Sequence, residues 1–350
     1  MISPRWRIGD VRSPTDMGTT TSPGAAVAHS ADTIPGVVHF DERSAKIQRR
    51  VVLFLTIFPF AGFIAAIVGL WGPGISLANG LIALALYLLT GLGVTVGYHR
   101  LFTHRSFEAR RSLKVVLAVA GSMSLQGSII SWVATHRRHH AFSDQEGDPH
   151  SPHLDEGPGI AGVIKGLWHA HMGWLAAPEG TDPDRWAPDM LKDKDLVRIN
   201  RLFPVLAVAS FVLPAAIGFL VSGTLWGAIM GFLWGGLARI FFLHHVTWSI
   251  NSICHFYGRR PFESKDFSTN NWPLAIVSFG ESWHNNHHAF PTSALHGIGR
   301  GQVDMSAWVI RMLERLRLAR TVKIVTAKQL AAKAAAEFHP RKRIAPVVRP

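Results

Sequence analysis

Four long apolar stretches set the limits on what this chain can fold into. Residues 51–71 hold no charged side chain, and neither do 75–98 or 202–221. A fourth stretch, 225–250, is interrupted only by Arg239 and by His244 and His245 near its end. About 20 apolar residues carry a helix across a bilayer, where every backbone amide must be bonded within the span. The chain is therefore expected to be an all-α integral membrane protein with four transmembrane helices. Gly72-Pro73-Gly74 and Ser222-Gly223-Thr224 are turn sequences, so the helices are expected to pair as two hairpins.

Basic residues orient them. Arg43, Lys46, Arg49 and Arg50 precede the first stretch, and neither turn carries Lys or Arg. Residues 99–201 and everything after 250 are rich in both. The bias of Lys and Arg toward the cytoplasm then puts both termini and the polar segments on that side. The formal net charge is +13. Its basic residues flank apolar stretches and form no stripe with aromatics, so membrane lipid or an acidic protein is the expected partner and nucleic acid is not. The first apolar stretch starts too late and runs too long for a secretory signal.

Residues 1–45 read as a disordered cytoplasmic tail, 46–310 as the membrane domain, and 311–350 as a basic amphipathic helix and tail at an anionic surface. One further apolar stretch, 115–133, contains Gly121, Ser122, Ser124, Gln126 and Ser128. It is expected to lie in or under the membrane interface without crossing, because crossing would separate the histidines that flank it.

Those histidines carry the chemistry. His136, His139 and His140 follow an H-x-x-H-H spacing that recurs at His284, His287 and His288, and His99 and His104 stand upstream. On a helix, positions i, i+3 and i+4 share a face, so each H-x-x-H-H is expected to aim three imidazoles in one direction. Eight neutral imidazoles exceed the four to six ligands of one ion and suit two. The only cysteine is Cys254, so thiolate clusters are excluded; iron, zinc and copper all accept an all-nitrogen set.

At this point the chain resembles a known family. Gly97-Tyr98-His99-Arg100-Leu101-Phe102-Thr103-His104 is similar to the first histidine box of the membrane acyl desaturases, in their stearoyl-CoA (Δ9) branch. Trp132…His136…His139-His140 with Asp148-Pro149-His150 resembles the second box, and Gly280-Glu281…His284-Asn285…His287-His288-Ala289-Phe290-Pro291 the third. Asn251-Ser252…His255…Gly258 matches a further element. The resemblance covers roughly 50–310.

It implies His255 as a ninth metal ligand and Asn251 as a ligand through water. It also implies two iron ions, O2 as co-substrate, and insertion of a cis double bond, Δ9 by expectation, into a saturated acyl chain. Gln126, Trp132, Thr247 and Trp248 would line the substrate tunnel, Gly91 and Gly93 would leave it room, and Tyr87 would limit chain length. His171 and His245 would orient ligands from behind; His150, His153 and His296 are not expected to be ligands. The Asn, Arg and Asp that grip CoA in animal relatives are replaced by Gly127, Ala134 and Thr135, and a downstream Arg-Lys pair by residues near Ala176-Ala177. The acyl carrier is thus CoA, acyl carrier protein or a phospholipid, with Arg137, Arg138 and Lys165 available to meet a phosphate.

No haem-binding extension, dinucleotide-binding glycine motif or iron–sulfur cysteine set is present, so electrons are expected from a separate ferredoxin-like or cytochrome-type donor with its NAD(P)H reductase. A membrane di-iron hydroxylase of fatty acids or alkanes shares the eight-histidine pattern; Asn251…His255 and Gly280-Glu281 favour the desaturase. A histidine-rich metal carrier would place ligands within the bilayer, whereas these lie just past the span ends.

Overall fold

In the computed structural model, which describes residues 34–69, 76–154, 157 and 159–334, the first element described is strand β1 (Val37–His39), followed by α1 (Glu42–Gly69). Asp41 starts α1 by accepting the Ser44 amide at 3.0 Å, an ordinary N-cap contact. α2 runs from Leu77 to Thr103; the Ser76 side chain caps its start, and Gly93–Thr103 is wound as π-helix. Next come β2 (Glu108–Ala109), α3 (Arg111–Ser122), α4 (Ile129–Phe142), α5 (Gly159–His171), β3 (Glu179–Thr181) and α6 (Lys194–Arg201). α7 (Phe203–Ser222) and α8 (Leu225–His255) follow. The chain then forms α9 (His284–Ala289), α10 (Met305–Arg315), β4 (Ala319–Arg320) and α11 (Ala327–Lys333).

Among the described residues, α1, α2, α7 and α8 are the four helices long and apolar enough to cross a membrane. They contain the four apolar stretches. At the second turn, Gly223 takes φ +68 and Thr224 caps α8 by accepting the Gly227 amide. Only glycine enters that left-handed region without penalty. α7 and α8 touch backbone to backbone: a Cβ on Gly218 would lie 2.2 Å from the Gly227 carbonyl oxygen, and one on Gly231 would lie 2.3 Å from that of Pro214. Small residues at such crossings let membrane helices approach closely.

The first pair differs from expectation. α1 packs chiefly on α8, with Gly62 against Leu237 and Phe63 stacked on Phe241 at 4.7 Å between centroids. α2 packs on the same π-wound stretch of α8, Phe232–Ala238, and on α8 to either side of it. Gly72-Pro73-Gly74 lies outside the described residues. α8 is the hub, and its one interior charge explains why. Arg239 is buried and donates to the Gly235 and Ser210 carbonyls, the Ser210 hydroxyl and the Met123 carbonyl, joining α8 to α7 and to the end of α3. An intramembrane guanidinium survives only with such partners.

Three other expectations change. The stretch 115–133 does not cross, but it is not one helix either. α3 ends at Ser122 and α4 begins at Ile129, with Leu125 at φ +60 and Gly127 at φ +103 between them. The tail expected over 1–45 gives way to structure earlier, because Val37–His39 pairs antiparallel with Glu179–Thr181 and α1 starts at Glu42; residues before 34 lie outside the described part. The boundary at 310 and the lone basic helix beyond it do not match the described residues 311–334. α10 straddles residue 310 and buries Ala307, Ile310 and Leu313, after which β4 pairs with β2. Residues beyond 334 lie outside the described part.

The close approach of α2 and α3 can be tested. A Cβ on Gly93 would meet the Gly121 amide nitrogen at 2.3 Å and the Ala120 carbonyl carbon at 2.5 Å. Backbone cannot yield as a side chain does. Gly93→Leu is expected to destabilise by about 1–3 kcal/mol or more, read as a lower temperature for loss of the monodisperse peak in detergent.

Candidate metal centre

The π-helical end of α2 accounts for the first histidine spacing. At 3.6 residues per turn, residues five apart face about 140° away from each other. Bonding from i to i+5 brings them nearly into line. The His104 amide donates to the His99 carbonyl at 3.1 Å, and the two rings stand 4.8 Å apart.

α4 and α9 supply the rest, and here the sequence expectation needs revision. The three histidines of each H-x-x-H-H do not converge on one point. Ligand-capable nitrogens of His99, His104, His136, His140 and His287 lie within 4.8 Å of one another, and those of His139, His255, His284 and His288 form a second such set. Each motif gives its i, i+4 pair to one set and its i+3 member to the other. H-x-x-H-H is thus the spacing of a bridge between two sites. The sets abut, with the His140 and His288 rings stacked at 4.4 Å.

Carboxylates fix the rings. The Nδ1–H groups donate from His99 to Glu281 at 2.5 Å, from His139 to Asp148 at 2.9 Å, from His255 to Asp144 at 2.9 Å and from His288 to Asp266 at 2.5 Å. That leaves their Nε2 atoms bare and turned inward, the usual outer support of a metal-binding histidine. Burial alone would push the Asp144, Asp148 and Asp266 carboxyls up; the histidine each one touches more than reverses this and holds them well below the usual range. Burial, then neighbouring imidazoles, hold His104, His136, His140, His284 and His287 well below the normal histidine value. They are neutral near pH 7, the form that binds metal.

The donor set fits metal ions. His255 and His288 each bring a bare Nε2 to 3.0 Å from Nε2 of His284. One proton on His284 can satisfy one neighbour only, whereas a metal cation would satisfy all three rings. In the other set, His287 Nε2 lies 3.0 Å from both His99 and His140, His140 lies 3.1 Å from His136, and His104 Nε2 is buried without a partner. Metal–nitrogen bonds of about 2.1 Å put nitrogens about 3.0 Å apart at right angles and about 3.4 Å apart at the tetrahedral angle. The spacing favours ions of five or six ligands over tetrahedral ones.

Beside the sets runs a cavity in two parts. The larger, about 330 Å³, is lined by Gln126, Trp132, His136, Thr247, Trp248 and Asn251 among others. The smaller, about 50 Å³, lies past His99 and His284 and shares Trp132, His136, Thr247 and Asn251 with it. Trp132 stacks on His136 at 4.9 Å and 14°, and the Gln126 amide donates to the Thr247 hydroxyl at 2.8 Å.

Other expected site residues fall elsewhere. Tyr87 lines neither part. Gly93 faces α3, and the space beside Gly91 holds the Phe279 ring. His171 bonds Ser252 and His245, so this pair ties α5 to α8. His150 and His296 lie outside both sets yet pack on ligand rings, 4.3 Å from His139 and 4.4 Å from His287; His153 bonds the His255 carbonyl. Arg137 is engaged by Asp189 and the Phe102, Thr103 and Trp186 carbonyls, and Arg138 by Glu179 and the Gly147 and Gly180 carbonyls. Lys165 borders a separate groove with Ile164 and Trp168. Asp144 and Asp266 escaped sequence inspection, since isolated acidic residues in loops give no signal of their own.

Chemically, this is a histidine-rich site able to hold metal beside a narrow apolar cavity, among helices of membrane-crossing length. Residues 75–306 match the fatty acid desaturase family. The chain is 43% identical over 288 residues to a hex-5-enoyl-[acyl-carrier protein] acetylenase of Moorena producens (strain JHB), covering 82% of this chain and 90% of that protein. It is 38% identical over 251 residues to an sn-1 stearoyl-lipid 9-desaturase of Anabaena variabilis, covering 71% and 85%. It is 37% identical over 251 residues to an acyl-CoA C20 Delta5-desaturase of Anemone leveillei, covering 69% and 73%. The chain belongs to the fatty acid desaturase family, whose members are oxidoreductases.

Proposed function

We propose that this protein is an O2-dependent di-iron desaturase that inserts a cis double bond, at Δ9, into a saturated long-chain acyl group. The observation that carries this is the junction of the two cavity parts at Trp132, His136, Thr247 and Asn251, beside both histidine sets. His99, His104, His136, His140 and His287 would hold one iron and His139, His255, His284 and His288 a second, which would supply the oxidising power that an unactivated CH2 demands. Asn251 borders the cavity beside His136 and His284, where it would meet the second ion through water. The chain's own residues do the positioning. Trp132, stacked on His136, presses one methylene toward the metals, and Gln126 and Thr247 close the opposite wall to water. The α7–α8 hairpin and the α1 and α2 spans hold both termini and the site on the cytoplasmic side, and electrons arrive from a separate acidic donor on the basic face.

Gly127, Thr135 and Ala177 border the larger cavity and bring no charge to it. With Arg137 and Arg138 engaged internally, neither guanidinium is free to grip a phosphate. The named relatives act on three different carriers, so the assay must offer all three. Membranes with the protein and a ferredoxin donor, given saturated acyl groups on lipid, CoA and acyl carrier protein, are expected to form cis-monoenes that disappear in His139→Ala. Hydroxylated products would overturn the desaturase assignment. Acetylenic products, as the Moorena relative's name suggests, would move the activity to a second oxidation of the same bond.

A further inference from the structure

We propose that Phe279 forms the closed end of the acyl cavity and sets how much chain can extend past the oxidised carbons, with Tyr87 latching the turn that holds it. This deepens the acyl-chain function above and rests on it.

Three observations meet at Phe279. First, the two parts of the cavity are unequal: about 330 Å³ before the shared residues and about 50 Å³ after them. The smaller part takes the chain's distal end in this proposal, and Val277, Ser278 and Phe279 border it together with Gly91 and Val94. Second, Phe279 is 1% exposed and held at φ +58, a conformation rare for an aromatic residue. The turn around it is bonded throughout. The Phe279 amide donates to Ile276, the Gly280 amide to Ala275, and the Phe279 carbonyl accepts the Ser306 amide. Third, a Cβ on Gly91 would lie 2.2 Å from the Phe279 ring. The missing side chain at Gly91 makes room for this ring and not for substrate.

Tyr87 supports the ring from outside. Its hydroxyl donates to the Val277 carbonyl at 2.7 Å, and its ring lies 5.5 Å from that of Phe279. It is a positioning residue. Two residues beyond Phe279, Glu281 holds His99. One rigid turn therefore fixes both the end wall and a metal-set histidine, so chain length is measured from the metals.

The test feeds a graded series of saturated fatty acids, in competition, to cells expressing the full-length protein and compares product lengths. Phe279→Ala is expected to raise the share of products two carbons longer at least about tenfold, since one methylene that does not fit an apolar pocket already costs about tenfold or more in selectivity. Gly91→Ala drives the ring inward and shifts products shorter. Tyr87→Phe broadens the distribution, which a purely structural loss of activity would not do. Phe279→Leu, a smaller change, gives the same direction if Phe279→Ala does not accumulate. An unchanged length distribution in an active Phe279→Leu or Phe279→Ala variant overturns the proposal. Absence of any desaturation by the unmodified protein would refute the acyl-chain function instead.

Discussion

Replacing His287 with alanine will remove one of two metal equivalents from the purified protein and lower desaturation at least about a hundredfold, the upper end of what loss of a mere supporting partner costs. His287 holds a shared position in its set. Its Nε2 sits 3.0 Å from both His99 and His140, so its loss opens two edges of one coordination polyhedron. The other set draws on His139, His255, His284 and His288 and should keep its ion. His284→Ala is expected to give the converse, losing the second ion and sparing the first. His171→Ala, outside both sets, keeps both. Metal content per protein, measured on detergent-purified material, checks all three. Retention of two equivalents by His287→Ala would show that the sets are drawn wrongly.

The membrane segments were legible because hydrocarbon imposes one rule on every residue of a span, and composition alone reports it. The histidines were legible because eight imidazoles at repeated spacings have few other uses. Their sorting into sets was not. Spacing says which side chains share a helix face, but α4 and α9 each present a face wide enough to serve two points, and only their mutual placement decides which ring goes where. The x4 spacing of His99 and His104 does not share one face of an α-helix, and nothing in the sequence announces the π-winding of Gly93–Thr103, which packs against α3. Asp266 reaches His288 across a loop, a contact with no local trace. The resemblance has Tyr87 limit chain length; Tyr87 lines neither cavity part, whereas Phe279, 192 positions later, borders the smaller one, and no pattern within α2 could reveal that.

Replacing Arg100 with methionine will cost about 3–5 kcal/mol, the range for removing one partner of a buried ion pair, and the protein will fail to accumulate in membranes. Arg100 is 0% exposed and donates to Glu281 at 3.1 Å, to Asp304 at 2.9 Å and to the Ala294 carbonyl at 2.8 Å. Both carboxylates are buried, and each has a second duty. Glu281 holds His99, and Asp304 accepts the His296 and Gly297 amides while capping α10 through the Ala307 amide. Without the guanidinium, two like charges share a cavity that water does not reach, and one of them must take a proton. If Glu281 takes it, His99 loses the anion that keeps its Nε2 turned to the metals. The triad thus links the first histidine box to the third and to α10. Methionine matches the stem of arginine but not its charge, so the lost quantity is electrostatic rather than packing. Arg100→Met with Asp304→Asn removes one of the two stranded charges and should recover part of the yield and thermal midpoint. Arg100→Lys keeps the charge, loses the fork that reaches both acids, and should fall between. Equal stability of Arg100→Met and the unmodified protein would mean that the two carboxyls are not both ionised in the folded state.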